Sequence, residues 1–302
     1  MGLTTIIAGS DLSVASDNAL ERAIGIAQRH GAKLVLVHAQ ATEPAGTEVD
    51  NAVLEQIGKV SAAIHAESAV RLADKLLEIR GLGLAAEVVS RVGAPDEVLA
   101  TAAHEQHAEL IIVGTHGHTG VSRFLLGSVA NTTIRRAPCD VLVVRGAPVR
   151  AAFEKPLVAT DFSPAAAKAL AHANNVVVPG TVPHVLHAWQ LPAGSWGATL
   201  LGQARFPWST VRDAVLASAK AQADKLVAEH GGTLQVELAQ GPPASVITEA
   251  AELGVYDLIV VGAHGNRGFR RLLLGSVAES TVRHAPCSVL VVHGPPRAAT
   301  SP

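Results

Sequence analysis

At 302 residues and a formal net charge of −2, the chain has room for two ordinary domains and no global field that would draw it to DNA or an anionic membrane. Aromatic residues at 3% argue against stacking platforms for single-stranded nucleic acid, and only 2 cysteines argue against a disulfide framework and for a reducing compartment. Hydrophobic residues reach 48% but fall in short runs, none near the ~20 apolar residues that span a bilayer.

In chain order, Thr4 to Ala8 reads as a buried strand, with no basic segment or small-residue cleavage site before it, and the expected location is cytoplasmic. A turn over Gly9 to Ser16 leads into a helix with Leu20, Ala23, Ile24 and Ala27 on one face. Leu34 to His38 is a second strand. A long helix follows, with Ala69, Leu72, Leu76 and Ile79 expected on its buried face. Ala85 to Val92 is a third strand, and Pro95 stands where a helix would begin, with Val98, Leu99, Ala102 and Ala103 inward. Leu110 to Val113 is a fourth, wholly apolar strand. A glycine-rich loop, a helix from about Ser128 and a last strand at Val141 to Val144 follow. Alternating strands and helices, with strands apolar on both faces, predict an α/β fold around a mostly parallel, open, Rossmann-like sheet.

The same order then recurs. Phe124 to Val144 matches Leu272 to Val292 with almost only conservative differences, at an offset of 148 that also carries Gly114 to Gly262 and Cys139 to Cys287. Near the start of each copy the offset is 150, relating Asp11 to Asp161 and Ser13 to Ser163. A period this long is a domain duplication and not a solenoid. Domains are expected at 1–147 and 153–294, joined through Gly146 to Lys155. In the second copy Leu157 to Ala159 and His184 to His187 are the first two strands, and Ser163 before Pro164 reads as a helix cap. Each cysteine follows a proline and reads as a small buried hydrophobe. Trp189, Trp196 and Trp208 are assigned to an insertion after the second strand of the second copy, as local packing or partner surface.

Ligands of such sheets bind beyond the carboxyl ends of the strands, at the topological switch point, here expected between the first and fourth strands. Two features converge there. The first half reads Gly114-Thr-His116-Gly117, nine residues, then Gly127-Ser128-Val129. The second reads Gly262-Ala-His264-Gly265, nine residues, then Gly275-Ser276-Val277. Glycines permit close backbone approach and positive φ, and the Gly-Ser pair opens a helix whose free amides and dipole favour phosphate. Arg123 and Arg271 would add charge. No histidines show the paired spacing of a zinc site, and no metal ligand is assigned.

The spacing G-x2-G-x9-G-[ST] after an apolar strand, present twice, resembles the ATP-binding class of the universal stress protein family. The resemblance also covers Ala8-Gly-Ser-Asp11-Leu-Ser13 and Ala159-Thr-Asp161-Phe-Ser163. It implies two tandem adenine nucleotide alpha hydrolase-like domains that bind ATP or ADP, with Mg²⁺ as a candidate companion ion. Asp11 and Asp161 would lie near adenine and ribose, with backbone contacts at Ala8, Ala159, His38 and His187 and phosphate contacts along both glycine motifs. It further implies last strands that pair across a pseudo-twofold axis within the chain, with a homodimer as an open alternative. His116 and His264 stand where the family often carries arginine. Each feature also has a plainer reading: aspartates capping a turn, glycine loops that only turn a strand into a helix, loop histidines facing solvent.

The expected function is a cytoplasmic, nucleotide-dependent stress-response regulator with up to two sites and no nucleic-acid or membrane partner. A slow ATPase or ATP-dependent transferase is the alternative. Against it stand the lack of an evident general base beside the loop and of a P-loop lysine. A ligand-free dimerisation protein is the third reading.

Overall fold

The computed structural model describes residues 2–40, 51–115, 127–191, 208–265 and 274–293. It divides into two compact units, with the break between Ala152 and Phe153. In the first, β1 (Thr5–Gly9), β2 (Lys33–Gln40), β3 (Ala86–Val92), β4 (Leu110–Gly114) and β5 (Asp140–Val144) alternate with α1 (Val14–His30), α2 (Asn51–Gly81), α3 (Pro95–Glu105) and α4 (Ser128–Arg136). The strand order is β3-β2-β1-β4-β5, and every neighbouring pair is parallel. The second unit repeats it with β6 (Pro156–Ala159), β7 (His184–Trp189), β8 (Gln235–Gln240), β9 (Leu258–Gly262) and β10 (Ser288–Val292), ordered β8-β7-β6-β9-β10. Its helices are α5 (Pro164–Ala173), α6 (Trp208–Glu229), α7 (Pro243–Leu253) and α8 (Ser276–His284).

The chain steps one way from β1 to β3, then returns past β1 to β4 and β5. With right-handed crossovers, α1 and α2 fall on one face of the sheet and α3 and α4 on the other. The ion pairs agree: Lys75 of α2 reaches Asp17 of α1 at 2.6 Å, and Arg136 of α4 reaches Asp96 and Glu97 of α3 at 2.9 and 2.6 Å. The reversal makes β1/β4 and β6/β9 the switch points. A carboxylate fixes the lower end of each. Glu109, just before β4, accepts from the backbone N–H groups of Thr4 and Thr5 at 3.2 and 2.9 Å. Asp257, just before β9, accepts from those of Glu154 and Lys155 at 2.7 and 2.9 Å.

The fully apolar central strands account for the core. Ile6, Ile7, Ile111 and Ile112 are completely buried, as are Leu157, Ile259 and Val260 in the second unit. Val98, Leu99, Ala102 and Ala103 line the inward face of α3 as expected, and Leu72 and Ile79 do so for α2. Ala69 does not: it is exposed, because α2 meets the sheet only in its last turns. Trp189 is not in an insertion but closes β7 and is buried, and Trp208 is the first residue of α6; Trp196 lies outside the described residues. Cys139 and Cys287 are half-buried rather than buried. Among the described residues no helix is long and apolar enough to cross a membrane.

Two glycines of the first unit are demanded by close approach to backbone. A Cβ on Gly25 of α1 would strike the backbone carbonyl of Arg150, where the segment leaving the first unit lies against the helix. Arg150 itself is held by Glu21 and Glu78. A Cβ on Gly114 would stand 2.6 Å from the carbonyl oxygen of Ala15, so the end of β4 is pressed onto the start of α1. Gly114→Ala is expected to lower stability by about 1–3 kcal/mol, the cost of overpacking a well-filled site. Urea unfolding of the variant, with an unchanged m-value, is the check.

Candidate functional site

The loop leaving β1, and its copy leaving β6, is built by a relay of short polar side chains. Ser10 Oγ accepts from the N–H of Leu12 at 3.2 Å, and Thr160 Oγ1 accepts from that of Phe162 at 3.0 Å. One residue on, Asp11 Oδ1 accepts from the N–H of Ser13 and Asp161 Oδ1 from that of Ser163, both at 3.0 Å. Ser13 and Ser163 in turn cap their helices, accepting from Ser16 N–H at 3.3 Å and Ala166 N–H at 3.2 Å. Held between these bonds are Leu12 and Phe162, left-handed at φ 62° and 60°. A non-glycine residue there costs about 1–2 kcal/mol, which the relay offsets. The turn-capping reading of Asp11 and Asp161 is therefore correct for one carboxylate oxygen of each.

His38 and His187 brace the same loop from the second strand. Their Nδ1–H groups donate to the carbonyls of Ser10 and Thr160, each at 2.8 Å, which fixes the Nδ1–H tautomer for the neutral ring. His38 is buried, at 9% exposure. His187 is half-buried, and its ring lies 4.5 Å from that of Phe162.

The glycine loop meets the Asp loop directly. A Cβ on Gly265 would fall 2.5 Å from Asp161 Oδ2, so the absence of a side chain there admits the carboxylate. The helix that follows starts at a clamp. Gly127 N–H donates to Thr115 O at 2.7 Å and Gly275 N–H donates to Ala263 O at 2.8 Å, each tying the helix N-cap to the residue just past its strand. Neither cap carries a side-chain bond. The first helical bonds run from Asn131 to Gly127 and from Glu279 to Gly275, at 3.1 and 2.9 Å. The amides of residues 128–130 and 276–278 thus have no acceptor within their helices. Ser128, Val129 and Ser276 are exposed there, and Val277 is half-exposed. The described motif glycines, Gly114, Gly127, Gly262, Gly265 and Gly275, do not adopt positive φ. Four of them are glycine for close approach: besides Gly114 and Gly265, Gly262 and Gly275 would each place a Cβ 3.2 Å from a backbone carbonyl oxygen.

His264 is half-buried instead of solvent-facing, and its Nε2 is buried without a hydrogen-bond partner among the described residues. Ala8 is 1% exposed and paired with Leu36 and Ile112 on its two sides, so its side chain lies below the cleft surface; Ala159 ends β6 and is half-buried. His116, Gly117, Arg123 and Arg271 lie outside the described residues. Cys139 is a poor nucleophile: desolvation, reinforced by Asp140 and Glu109, pushes its thiol far above its ordinary pKa. Among the described residues no group of three or more His, Cys, Asp or Glu side chains is placed to hold a metal.

Both halves, residues 2–145 and 152–293, match the model of the universal stress protein family. The chain belongs to the universal stress protein family. A universal stress protein of Staphylococcus aureus (strain USA300) is 35% identical over 162 residues, which are 51% of this chain and 91% of that protein. Two solved structures share the tandem fold over 96% of this chain. The universal stress protein from Archaeoglobus fulgidus DSM 4304 does so with 23% identity, a TM-score of 0.65 and 96% of its own length covered. A Pseudomonas aeruginosa UCBPP-PA14 protein described as a universal stress protein does so with 18% identity, a TM-score of 0.69 and 93% of its length covered.

Two outcomes test this geometry. Asp161→Ala, which removes the acceptor for Ser163 N–H, is expected to cost about 1 kcal/mol, while Asp161→Asn keeps Oδ1 and stays within about 0.5 kcal/mol. Paired urea denaturation curves would decide it. In a Cys287→Ser background at pH 8, Cys139 is expected to react with a thiol reagent more slowly in the folded protein than in the unfolded chain, because its raised pKa lowers the thiolate fraction.

Proposed function

We propose that this universal stress protein binds an adenine nucleotide, ATP or ADP, at up to two equivalent sites, one per half, and acts as a cytoplasmic, nucleotide-dependent stress-response regulator. The observation that carries the reading is the approach of Gly265 to Asp161 Oδ2 beside the uncapped start of α8. A carboxylate suited to sugar hydroxyls and a row of amides suited to phosphate thereby face one cleft at the switch point.

The residues fit the ligand on three counts. Phosphate oxygens would accept from the amides at the starts of α4 and α8 and from the Ser128 and Ser276 hydroxyls. The orphaned Nε2 of His264 supplies a further polar atom at the loop. Asp11 and Asp161, held by one oxygen to the turn, are pre-oriented and lose little entropy on binding. Mg²⁺, where it accompanies ATP, would be bound mainly through the phosphates. Occupancy would order the glycine loops and change the surface offered to partners.

The test is nucleotide identity and stoichiometry in the isolated protein, followed by calorimetric titration with ATP and with ADP. One to two equivalents per chain are expected. Gly265→Ala should weaken the second-half site by about tenfold or more, and Gly117→Ala should do the same in the first half. No carried nucleotide and no titratable binding would sink the reading, and multiple turnovers with purified ATP would move it toward an ATPase.

A further inference from the structure

At the amino-terminal edge of the second-half sheet, opposite the candidate nucleotide site, three side chains form one hydrogen-bonded chain. Tyr256 stands just before β9, His184 opens β7, and Glu237 lies in β8. The Tyr256 hydroxyl meets His184 Nδ1, and His184 Nε2 lies 3.2 Å from Glu237 Oε2. The carboxylate can only accept, so Nε2 carries the ring proton. In the neutral imidazole Nδ1 is then the acceptor for the phenol.

The first half is built differently there. Val35 pairs with Glu87 as His184 pairs with Gln235, and Val37 pairs with Val89 as Leu186 pairs with Glu237. Glu109 and Asp257, one residue after Ala108 and Tyr256, hold backbone amides at the start of the neighbouring strand in the same way. The trio therefore stands where the first half has Val35, Val89 and Ala108, of which Val35 and Ala108 are buried. A fourth change serves the same end. Gln106 becomes Gly254, and a Cβ there would strike the Tyr256 ring. Polar groups at such positions cost desolvation and forgo apolar burial, so packing alone gives no reason for four matched changes.

We propose that Tyr256 is a nucleophile, activated by His184 and aligned through Glu237, that takes an acyl group from activated acyl esters. Nucleophile, base and orienting carboxylate stand in the order that covalent catalysis uses, where a hydroxyl is weak until a base lies beside it. Burial and then Glu237 push the phenol above its ordinary pKa, so it is protonated at neutral pH and needs that base. In the step, Tyr256 Oη bonds to the acyl carbon as its proton passes to His184 Nδ1. The ester C–O bond breaks, and the leaving oxygen departs with the bonding pair. The imidazolium, stabilised by Glu237, then gives its proton to the leaving oxygen or to solvent. Tyr256 and His184 are half-buried and Glu237 is exposed, so a small ester reaches the phenol from solvent. None of this depends on the nucleotide reading.

The probe is p-nitrophenyl acetate, incubated with the full chain without nucleotide and read by nitrophenolate release and peptide mass spectrometry. The chain has 1 tyrosine, so a labelled tyrosine is Tyr256. Acetylation of Tyr256 is expected to be at least about tenfold faster in the folded protein than in the urea-unfolded chain. Hydroxylamine should remove the acetyl group, since it cleaves an aryl ester and leaves acetyl-lysine intact. His184→Val, which restores the first-half residue, should abolish the rate advantage, and His184→Gln serves where that variant fails to fold. Glu237→Gln should slow labelling, and Glu237→Asp should recover part of it. The proposal is overturned if folded and unfolded chains label Tyr256 at one rate, if the His184 variants label it as fast as the unchanged protein, or if the acetyl group resists hydroxylamine.

Discussion

At the carboxyl end of the first strand of each half, an aspartate oxygen takes the backbone N–H two residues ahead, and the serine so positioned takes one three residues further on. The candidate site is arranged around that pair of bonds. They hold a left-handed leucine or phenylalanine in place and start α1 or α5 at a fixed point, and in the second half the other carboxylate oxygen of Asp161 lies against Gly265. The histidine at the second strand locks the carbonyl just before the aspartate. The loop therefore needs neither a disulfide nor a metal to be rigid. Its strain is compensated within four residues, and the two copies agree in bond lengths to within a few tenths of an ångström.

The fold was largely legible because its signals are local. Wholly apolar strands such as Leu110–Val113 can be satisfied only between two layers, and Pro95 and Ser163-Pro164 mark helix starts through backbone geometry alone. The repeat multiplied the weight of each signal. What failed did so where tertiary packing overrides periodicity. Ala69 has the right spacing, but a helix of 31 residues outruns the sheet it leans on. Trp189 looked like the start of an insertion, although it still pairs with Gln240 as the last residue of β7.

For the candidate site, several residues that the sequence singled out are brought together by the structure, for reasons that differ from those expected. Of the two uses of glycine that the sequence allowed, Gly114, Gly262, Gly265 and Gly275 show close approach, to carbonyls and a carboxylate, and not positive φ. His38 and His187 were expected to offer backbone contacts, yet the Nδ1–H of each ring also faces inward to a backbone carbonyl. A signal for this was available: Ser10-Asp11-Leu12-Ser13 and Thr160-Asp161-Phe162-Ser163 repeat the hydroxyl–carboxylate–apolar–serine order, which is the composition of overlapping side-chain turns.

The clamp between Thr115 and Gly127, and between Ala263 and Gly275, has an evolutionary consequence. Each joins the exit of a strand to the entry of a helix by a single backbone hydrogen bond, so the register of that helix is set without reference to what lies between. Closing such a loop costs an entropy that grows only with the logarithm of its length. The start of the helix is therefore registered independently of the residues between, so the identical nine-residue spacing kept in both copies answers to something other than helix placement.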